Sequence, residues 1–256
     1  MALIIDQFIC RSDNFGVLIH DDEARVTAAI DAPEFGPIKE RLDARGWTLD
    51  HILTTHRHED HVEGNLALKK AFGCTIIAPE RERDQVPGAD SAVKGGDTFT
   101  FGSFEVRVID TPGHTLGHIS YWMPGAKTAF TADTLFALGC GRIFEGTPEM
   151  MWASLQKLAA LPDDTVVYCG HEYTEANARF ALTIEPENAA LVSRAEEVSR
   201  LRAAGKATLP TTIGLEKKTN PFLRAAEPAI RARLGMETAP DAAVFAEVRR
   251  RKDSFR

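Results

Sequence analysis

Three histidines fall within six residues of this sequence, in Thr55-His56-Arg57-His58-Glu59-Asp60-His61. The apolar run before them gives the cluster a geometry. If His51–Thr55 is a strand, its period of two carries His56 and His58 onto one side. A helix read over His61–Phe72 then turns Asp60 and His61 toward the same cleft. Imidazole nitrogen suits zinc, iron and related ions, and carboxylate oxygen suits harder ones. The bland account makes Asp60 the N-cap of that helix and each histidine a satisfied core residue. Four potential ligands in six positions, with no other reason to collect, favour a metal site.

Three further segments place a donor just after a strand or between strands. His114 follows Glu105–Asp110 in Asp110-Thr111-Pro112-Gly113-His114-Thr115. Asp133 lies just past Lys127–Thr131 in Phe130-Thr131-Ala132-Asp133-Thr134. His171 follows the last strand in Tyr168-Cys169-Gly170-His171-Glu172-Tyr173. Loops at strand ends are where sites assemble in layered α/β folds. Singly each is weak, since Asp133 could cap a turn and His171 could be a structural donor. Together the segments supply five imidazoles and two carboxylates, which fits two ions sharing one oxygen ligand. His20 and His51 read as structural or exposed. His118 could orient a ligand or simply pack. No cysteine has a histidine partner at nucleophile-like spacing, so Cys10, Cys74, Cys140 and Cys169 read as buried small residues.

The elements that must position these donors alternate short apolar runs with turn residues. Strands are expected at Ala2–Ile5, Gly16–His20, Arg25–Ile30, His51–Thr55, Thr75–Ala78 and Thr165–Cys169. Two hairpins are expected, one joining Thr98–Phe101 to Glu105–Asp110 and one joining Ile119–Met123 to Lys127–Thr131. Helices are expected at Pro33–Gly46, His61–Phe72 and Pro148–Ala160. Beyond residue 172 the texture changes. Thr174–Ile184, Glu187–Ala204 and Asp241–Lys252 are rich in Ala, Glu, Arg and Leu with no strand signal between them. Gly205–Thr219, with Pro210 and Gly214, reads as a connector. An α/β domain over 1–172 and a helical domain over 173–256 follow.

Composition narrows the function. The chain has 256 residues, 44% of them hydrophobic and 26% charged, enough to build a core and unlike a disordered chain. A net charge of −7 argues against a nucleic-acid binder. No apolar run approaches the roughly 18 residues of a membrane span. The N-terminal residues show neither a secretory nor a transit pattern, and four scattered cysteines without Cys-x-x-Cys fit a reducing compartment. The expectation is a cytoplasmic monomer with no nucleic-acid or membrane partner.

The motifs Thr-His-x-His-x-Asp-His, Gly-His-Thr-x-Gly-His, Phe-Thr-x-Asp-Thr-Leu-Phe and Cys-Gly-His-Glu-Tyr-Thr resemble those of the metallo-β-lactamase superfamily. Within it the chain resembles glyoxalase II, the hydroxyacylglutathione hydrolases. Gly139-Cys140-Gly141-Arg142, Gly-His-Glu-Tyr, Asn220-Pro221-Phe222, the helical C-terminus and the terminal Arg-Lys-Asp-Ser-Phe carry that narrower likeness. The resemblance implies an α+β fold, an αββα sandwich followed by a smaller α-helical domain. It implies two divalent metal ions per chain, zinc with iron or manganese as alternatives. His56, His58 and His114 would hold the first ion and Asp60, His61 and His171 the second, with Asp133 bridging. Asp60 and Asp133 would be the catalytic carboxylates, and a shared water ionised to hydroxide the nucleophile. The substrate implied is an S-2-hydroxyacylglutathione, above all S-D-lactoylglutathione. Its cleavage to D-lactate and glutathione is the second step of methylglyoxal detoxification.

The same resemblance places substrate contacts at Arg142, Phe144, Tyr173, Arg249 and Lys252. The basic segment Ala246–Arg256 can be read as a solvated helix end whose cations complement the dipole. At about 100° per residue, however, Arg249 and Lys252 lie some 60° apart beside the direction of Phe245, while Arg250 points away. That favours two cations facing the protein body. Phe144 departs from the family, which often has a tyrosine there, and Arg142 stands where lysine is common. The missing hydroxyl would cost about 0.5–1.5 kcal/mol of affinity. The competing readings are a glutathione persulfide dioxygenase, a β-lactamase or lactonase, and a non-catalytic metal-stabilised interaction module.

Overall fold

The computed structural model describes residues 3–255. Ala2, where the sequence reading starts the first strand, and Arg256 of the basic terminus lie outside the described residues. The chain divides into two compact units. One runs to Asp110 and resumes over Thr115–Thr131, and the other takes Thr111–His114 and everything from Ala132 onward.

The first unit opens with β1 (Leu3–Cys10) and β2 (Asn14–Asp21), an antiparallel pair in register from Leu3 opposite Asp21 to Cys10 opposite Asn14. β2 is buried along its whole length, so its sequence shows no in–out alternation. β3 (Val26–Ile30) adds antiparallel to β2, and then the pairing switches. β4 (His51–Leu53), β5 (Thr75–Pro79) and β6 (Ser91–Val93) continue the sheet in parallel. Parallel neighbours need crossovers. α1 (Phe35–Arg45) fills the first, α2 (Glu59–Val62) and α3 (Asn65–Phe72) the second, and a 3₁₀ turn over Glu80–Gln85 the third. Leu18, Ile38, Leu42, Ile52, Leu68 and Ile76 form the core beneath them. The helix expected over 61–72 is split. It starts earlier, at Glu59, and breaks where Gly64 N–H donates to Ala32 O at 2.9 Å.

β7 (Thr98–Phe101), β8 (Phe104–Asp110), β9 (Ile119–Met123) and β10 (Thr128–Ala132) form an antiparallel meander, with the two hairpins read from sequence. Asp21, at the end of β2, accepts from Ser103 N–H at 2.7 Å and Ser103 Oγ–H at 2.6 Å in the β7–β8 turn. These bonds, the serine hydroxyl first, hold its carboxyl down to about 2.

The second unit holds a short ribbon, β11 (Leu135–Phe136) with β12 (Gly139–Cys140), and then α4 (Pro148–Ala159). α4 starts where Thr147 Oγ1 caps Met150 N–H and Pro148 presets the first turn. β13 (Val166–Cys169) is followed by α5 (Thr174–Ile184) and α6 (Ala189–Ala203). α6 begins two residues later than read because Asn188 accepts from Ala190 and Leu191 N–H. The expected connector over 205–219 contains structure. β14 (Thr211–Thr212) pairs with β13, and Thr212 Oγ1 caps α7 (Ile213–Thr219) through Leu215 N–H. α8 (Pro228–Leu234) and α9 (Asp241–Ser254) complete the described chain. β6, the β11–β12 ribbon, β14 and α8 escaped the sequence reading because each is too short to display a period. No helix among the described residues is long and apolar enough to cross a membrane.

Candidate metal centre

In the first unit the donors hang from the C-terminal end of β4, held by residues from other strands. Asp31, just past β3, has a left-handed φ of 59°, which an aspartate tolerates better than most residues. Its Oδ1 accepts Thr55 N–H at 2.7 Å, and its Oδ2 accepts Thr55 Oγ1–H at 2.8 Å. Oδ2 also lies 2.8 Å from His61 Nδ1. A carboxylate there only accepts, so His61 Nδ1 carries the proton and Nε2 keeps its lone pair. The same logic reaches His56. Thr55 Oγ1 spends its proton on Asp31, so at 3.0 Å it accepts from His56 Nδ1–H, and His56 Nε2 is again the donor nitrogen. One buried carboxylate thus sets two imidazole tautomers.

His56 Nε2 and His58 Nδ1 lie 3.1 Å apart. Two nitrogens bound tetrahedrally at about 2.0–2.1 Å would lie roughly 3.3 Å apart, so this pair has the spacing of two ligands on one ion. Ligand atoms of Asp31, His56 and His61 all lie within 4.8 Å of one another. Asp60 sits inside the first turn of α2 rather than at its cap, which His58 occupies. Asn14 Nδ2 donates to Asp60 Oδ2 at 3.0 Å and to its backbone oxygen at 3.1 Å. The buried His118 ring stacks on His56 with centroids 4.9 Å apart.

The second unit brings three donors together from distant positions. His114 Nε2 and His171 Nε2 each approach Asp133 Oδ2 at 3.4 Å, and all three residues are buried. His114 Nδ1 lies 2.8 Å from Arg142 O, a carbonyl that only accepts, so its Nε2 is also the unprotonated nitrogen. Gly141 explains part of the Gly-Cys-Gly-Arg motif. A Cβ there would fall 1.8 Å from Asp133 O, so no larger residue leaves the Asp133 backbone in place. Its N–H donates to Thr134 O at 3.1 Å. The ribbon turn is clamped from α7: Asn220 Nδ2 donates to Phe136 O and Gly139 O, and Glu216 Oε2 accepts Leu138 N–H at 2.7 Å. Burial raises the Glu216 pKa.

The residues expected to touch substrate also lie in this unit. Tyr173 stacks on His171, centroids 4.6 Å apart and planes within 4°. Phe144 is exposed, 5.2 Å from the His114 ring, with the Arg142 guanidinium 5.8 Å from its own centroid. Arg142 is exposed, and Arg249 is not. Arg249 Nη1 donates to Cys140 O at 2.9 Å, its Nε and Nη2 donate to Asp253, and its guanidinium lies over Phe222. Lys252 is half-buried, with Nζ donating to Ala176 O at 3.1 Å and lying 5.4 Å from the Phe180 centroid. Desolvation, with Arg249 and Arg179 adding repulsion, pushes its pKa down to about 8. Arg250 and Arg251 pair with Glu247, so the inward orientation read for Arg249 and Lys252 is observed.

The left-over residues also settle. His20 is buried, stacked on Trp47 at 4.4 Å and 2.8 Å from Thr27 Oγ1, a structural histidine. All four cysteines are free and buried. Desolvation pushes the Cys10 thiol up to about 12 and Cys140 to about 11, so neither is a reactive free thiolate near neutral pH. Asp31, Asn14, Glu216 and the roles of Gly141 and Asn220 were not found from sequence. A lone aspartate or asparagine far along the chain carries no local signal, although Asn220-Pro221-Phe222 and Gly-Cys-Gly-Arg did mark the last two.

The family described as metallo-beta-lactamase superfamily matches residues 23–171, and the family described as hydroxyacylglutathione hydrolase C-terminus matches 172–255. A protein named hydroxyacylglutathione hydrolase from Brucella ovis is 65% identical over 253 residues, covering 99% of this chain and 98% of the relative. The crystal structure of ETHE1 from Myxococcus xanthus superposes with a TM-score of 0.67 at 26% identity, covering 99% of this chain and all of the other. A B3 metallo-beta-lactamase, BLEG-1, superposes with a TM-score of 0.67 at 22% identity, covering 86% and 99%, a likeness of fold alone.

Proposed function

The chain belongs to the hydroxyacylglutathione hydrolase family of the metallo-beta-lactamase superfamily, and from that premise we propose which of its residues do the work. The protein is a metal-dependent hydrolase of hydroxyacylglutathione thioesters. Two divalent ions, zinc with iron or manganese as alternatives, are held by His56, His58 and His114 and by Asp60, His61 and His171, with Asp133 common to both. The donor set fits such ions: imidazole nitrogens, with the tautomers of His56, His61 and His114 settled by their partners, and carboxylate oxygens, with no thiolate among them. Residues 1–172 serve as the catalytic domain and 173–256 as the substrate-binding domain.

When bound, the ions acidify a water at neutral pH and neutralise charge developing on the thioester carbonyl oxygen. The chain's own residues do the rest. Asp31, through Thr55 for His56, and the Arg142 carbonyl hold the protons of His61, His56 and His114 at Nδ1, which leaves Nε2 of each as the ligand nitrogen. Asn14 holds one oxygen of Asp60. The glutathione end, which carries carboxylates, is gripped by Arg142, Tyr173, Arg249 and Lys252, and Phe144 offers an apolar face where a hydroxyl is often found. The leaving thiolate, with an unperturbed pKa near 8.5, departs without a strong general acid.

The observation that supports this reading most is the approach of His114 and His171 to a single oxygen of Asp133, at 3.4 Å each, as expected of a carboxylate shared by two ions. Metal analysis of the purified protein beside a thioester assay tests it. Two ions per chain and thiol release from S-D-lactoylglutathione are expected. One ion or fewer with no thiol release overturns it, and oxygen consumption with glutathione persulfide would turn the assignment toward a dioxygenase.

A further inference from the structure

Glu82 lies in the 3₁₀ turn after β5, distant along the chain from every residue that the resemblance names, and it is buried. Its two carboxylate oxygens are divided between two loops. Oε2 accepts Arg57 N–H at 2.7 Å, on the backbone between His56 and His58. Oε1 accepts Gly117 N–H at 2.9 Å, beside His118 and three residues beyond His114 in the chain. The approach is close enough to exclude a side chain at 117, where a Cβ would fall 2.5 Å from Glu82 Cγ. Charge-assisted bonds to backbone N–H are among the stronger ones available, and here they fix main chain rather than side chains. Two further bonds run the same way: Ile119 N–H donates to Thr55 O at 3.0 Å, and Arg81 Nη1 donates to Leu116 O at 3.4 Å. His118, next to Gly117, stacks on the His56 ring.

We infer that Glu82 is a positioning residue for the metal centre: one carboxylate ties the His56–His58 loop to the Gly117–His118 loop and so sets the ligand spacing. The inference rests on the reading that His56 and His58 hold an ion. It follows from reach. A carboxylate has two acceptors far enough apart to hold two N–H groups, whereas an amide has one acceptor oxygen and a shorter acid cannot reach both loops. The loop that carries two ligands two residues apart has no helix or strand of its own to hold it, since β4 ends at Leu53 and α2 starts at Glu59.

The test is Glu82→Gln and Glu82→Ala in the full chain, read by cobalt and zinc affinity, the cobalt absorption spectrum, kcat and KM. Amide exchange at Arg57 and Gly117 in the metal-free protein supplies a readout independent of turnover. Glu82→Gln should lose one of the two bonds and about tenfold in metal affinity, and Glu82→Ala more, within the roughly 10–100-fold cost of removing an outer partner. Both should alter the cobalt spectrum and lower kcat at limiting metal, with KM unchanged and one or both amides exchanging faster. Glu82→Gln, nearly isosteric, carries the test where the alanine does not fold. Parent-like metal affinity and cobalt spectra in both variants, with only Tm lowered, overturn the inference and leave Glu82 an ordinary buried acid. His58→Ala is the control: if it binds metal as the parent does, the ligand assignment falls, a failure distinct from unchanged affinity in the Glu82 variants alone.

Discussion

The two units assemble their donors by opposite means. In the first, His56, His58, Asp60 and His61 are neighbours in the chain, and what holds them comes from afar: Asn14 on β2, Asp31 after β3, Glu82 after β5. In the second, His114, Asp133 and His171 are scattered, and close backbone packing around Gly141 and the α7 clamp hold them. A cluster contiguous in sequence needs distant orienting groups, because a loop of polar residues cannot order itself. Donors at three separate strand ends are each already fixed by a strand, so their support can be the fold itself.

The largest expected contrast is between Asp133 and His58. Asp133→Ala removes the oxygen shared by two imidazoles and should cut thiol release by more than about a hundredfold, beyond the usual cost of an outer partner, while bound metal falls. His58→Ala should lose chiefly one ion and His171→Ala chiefly the other. Cobalt- or manganese-loaded spectra should distinguish the last two variants. Normal activity at normal metal content in Asp133→Ala would break the comparison outright.

Next comes backbone packing. Gly141→Ala drives a Cβ to 1.8 Å from Asp133 O, so that main chain must move. About 1–3 kcal/mol of stability should be lost to overpacking, with bound metal falling as well. Melting curves and metal analysis read it. A metal loss without a Tm change would say that Gly141 serves the ligand alone. In the first unit, Asp31→Asn is the matched change. Asparagine also tolerates positive φ, so the backbone is kept while the acceptor for His61 Nδ1 and Thr55 Oγ1–H is replaced by an amide donor. Metal affinity should fall about 10–100-fold with a small change in Tm. If Asp31→Asn instead collapses the fold and Gly141→Ala only loosens metal, the two kinds of support belong to the opposite units.

That contrast also says what was legible in the sequence. The donors were legible because function repeats residue types that packing has no reason to collect, as in His56–His61. β4, β5 and the long helices were legible through their apolar runs and periods, down to the C-terminal helix that buries Phe245. Asp31, Asn14 and Glu82 were not, because each acts across more than twenty residues of chain through two or three hydrogen bonds. The β11–β12 ribbon was missed for a different reason. Two-residue strands have no pattern, and this one is held by Asn220 and Glu216, eighty residues away.

The smallest expected effect concerns the basic tail, where two cations that look alike in sequence differ in the structure. Arg249 is buried with its guanidinium committed to Cys140 O and Asp253, so Arg249→Ala should lower Tm as well as raise KM. Lys252 is half-buried with a pKa near 8, so its contribution can be titrated. The ammonium is present below about pH 8 and lost above it, so a grip on substrate carboxylates weakens as pH rises through that value. KM of the parent should climb through pH 8 by roughly fivefold, the equivalent of a partly exposed ion pair of about 1 kcal/mol. Lys252→Arg, charged to beyond pH 12, should not show that climb, and Lys252→Met should have the high KM at every pH, with kcat unmoved in both, as uniform binding requires. Stability carries the opposite sign. A folded pKa of about 8 against the ordinary 10.5 means that the unfolded chain holds more protons between those values, so parent Tm should rise over that window and Lys252→Met should flatten the rise. A parent KM that is level across pH 8, with the Tm slope present, would leave Lys252 as a buried cation of the fold and remove it from the substrate site.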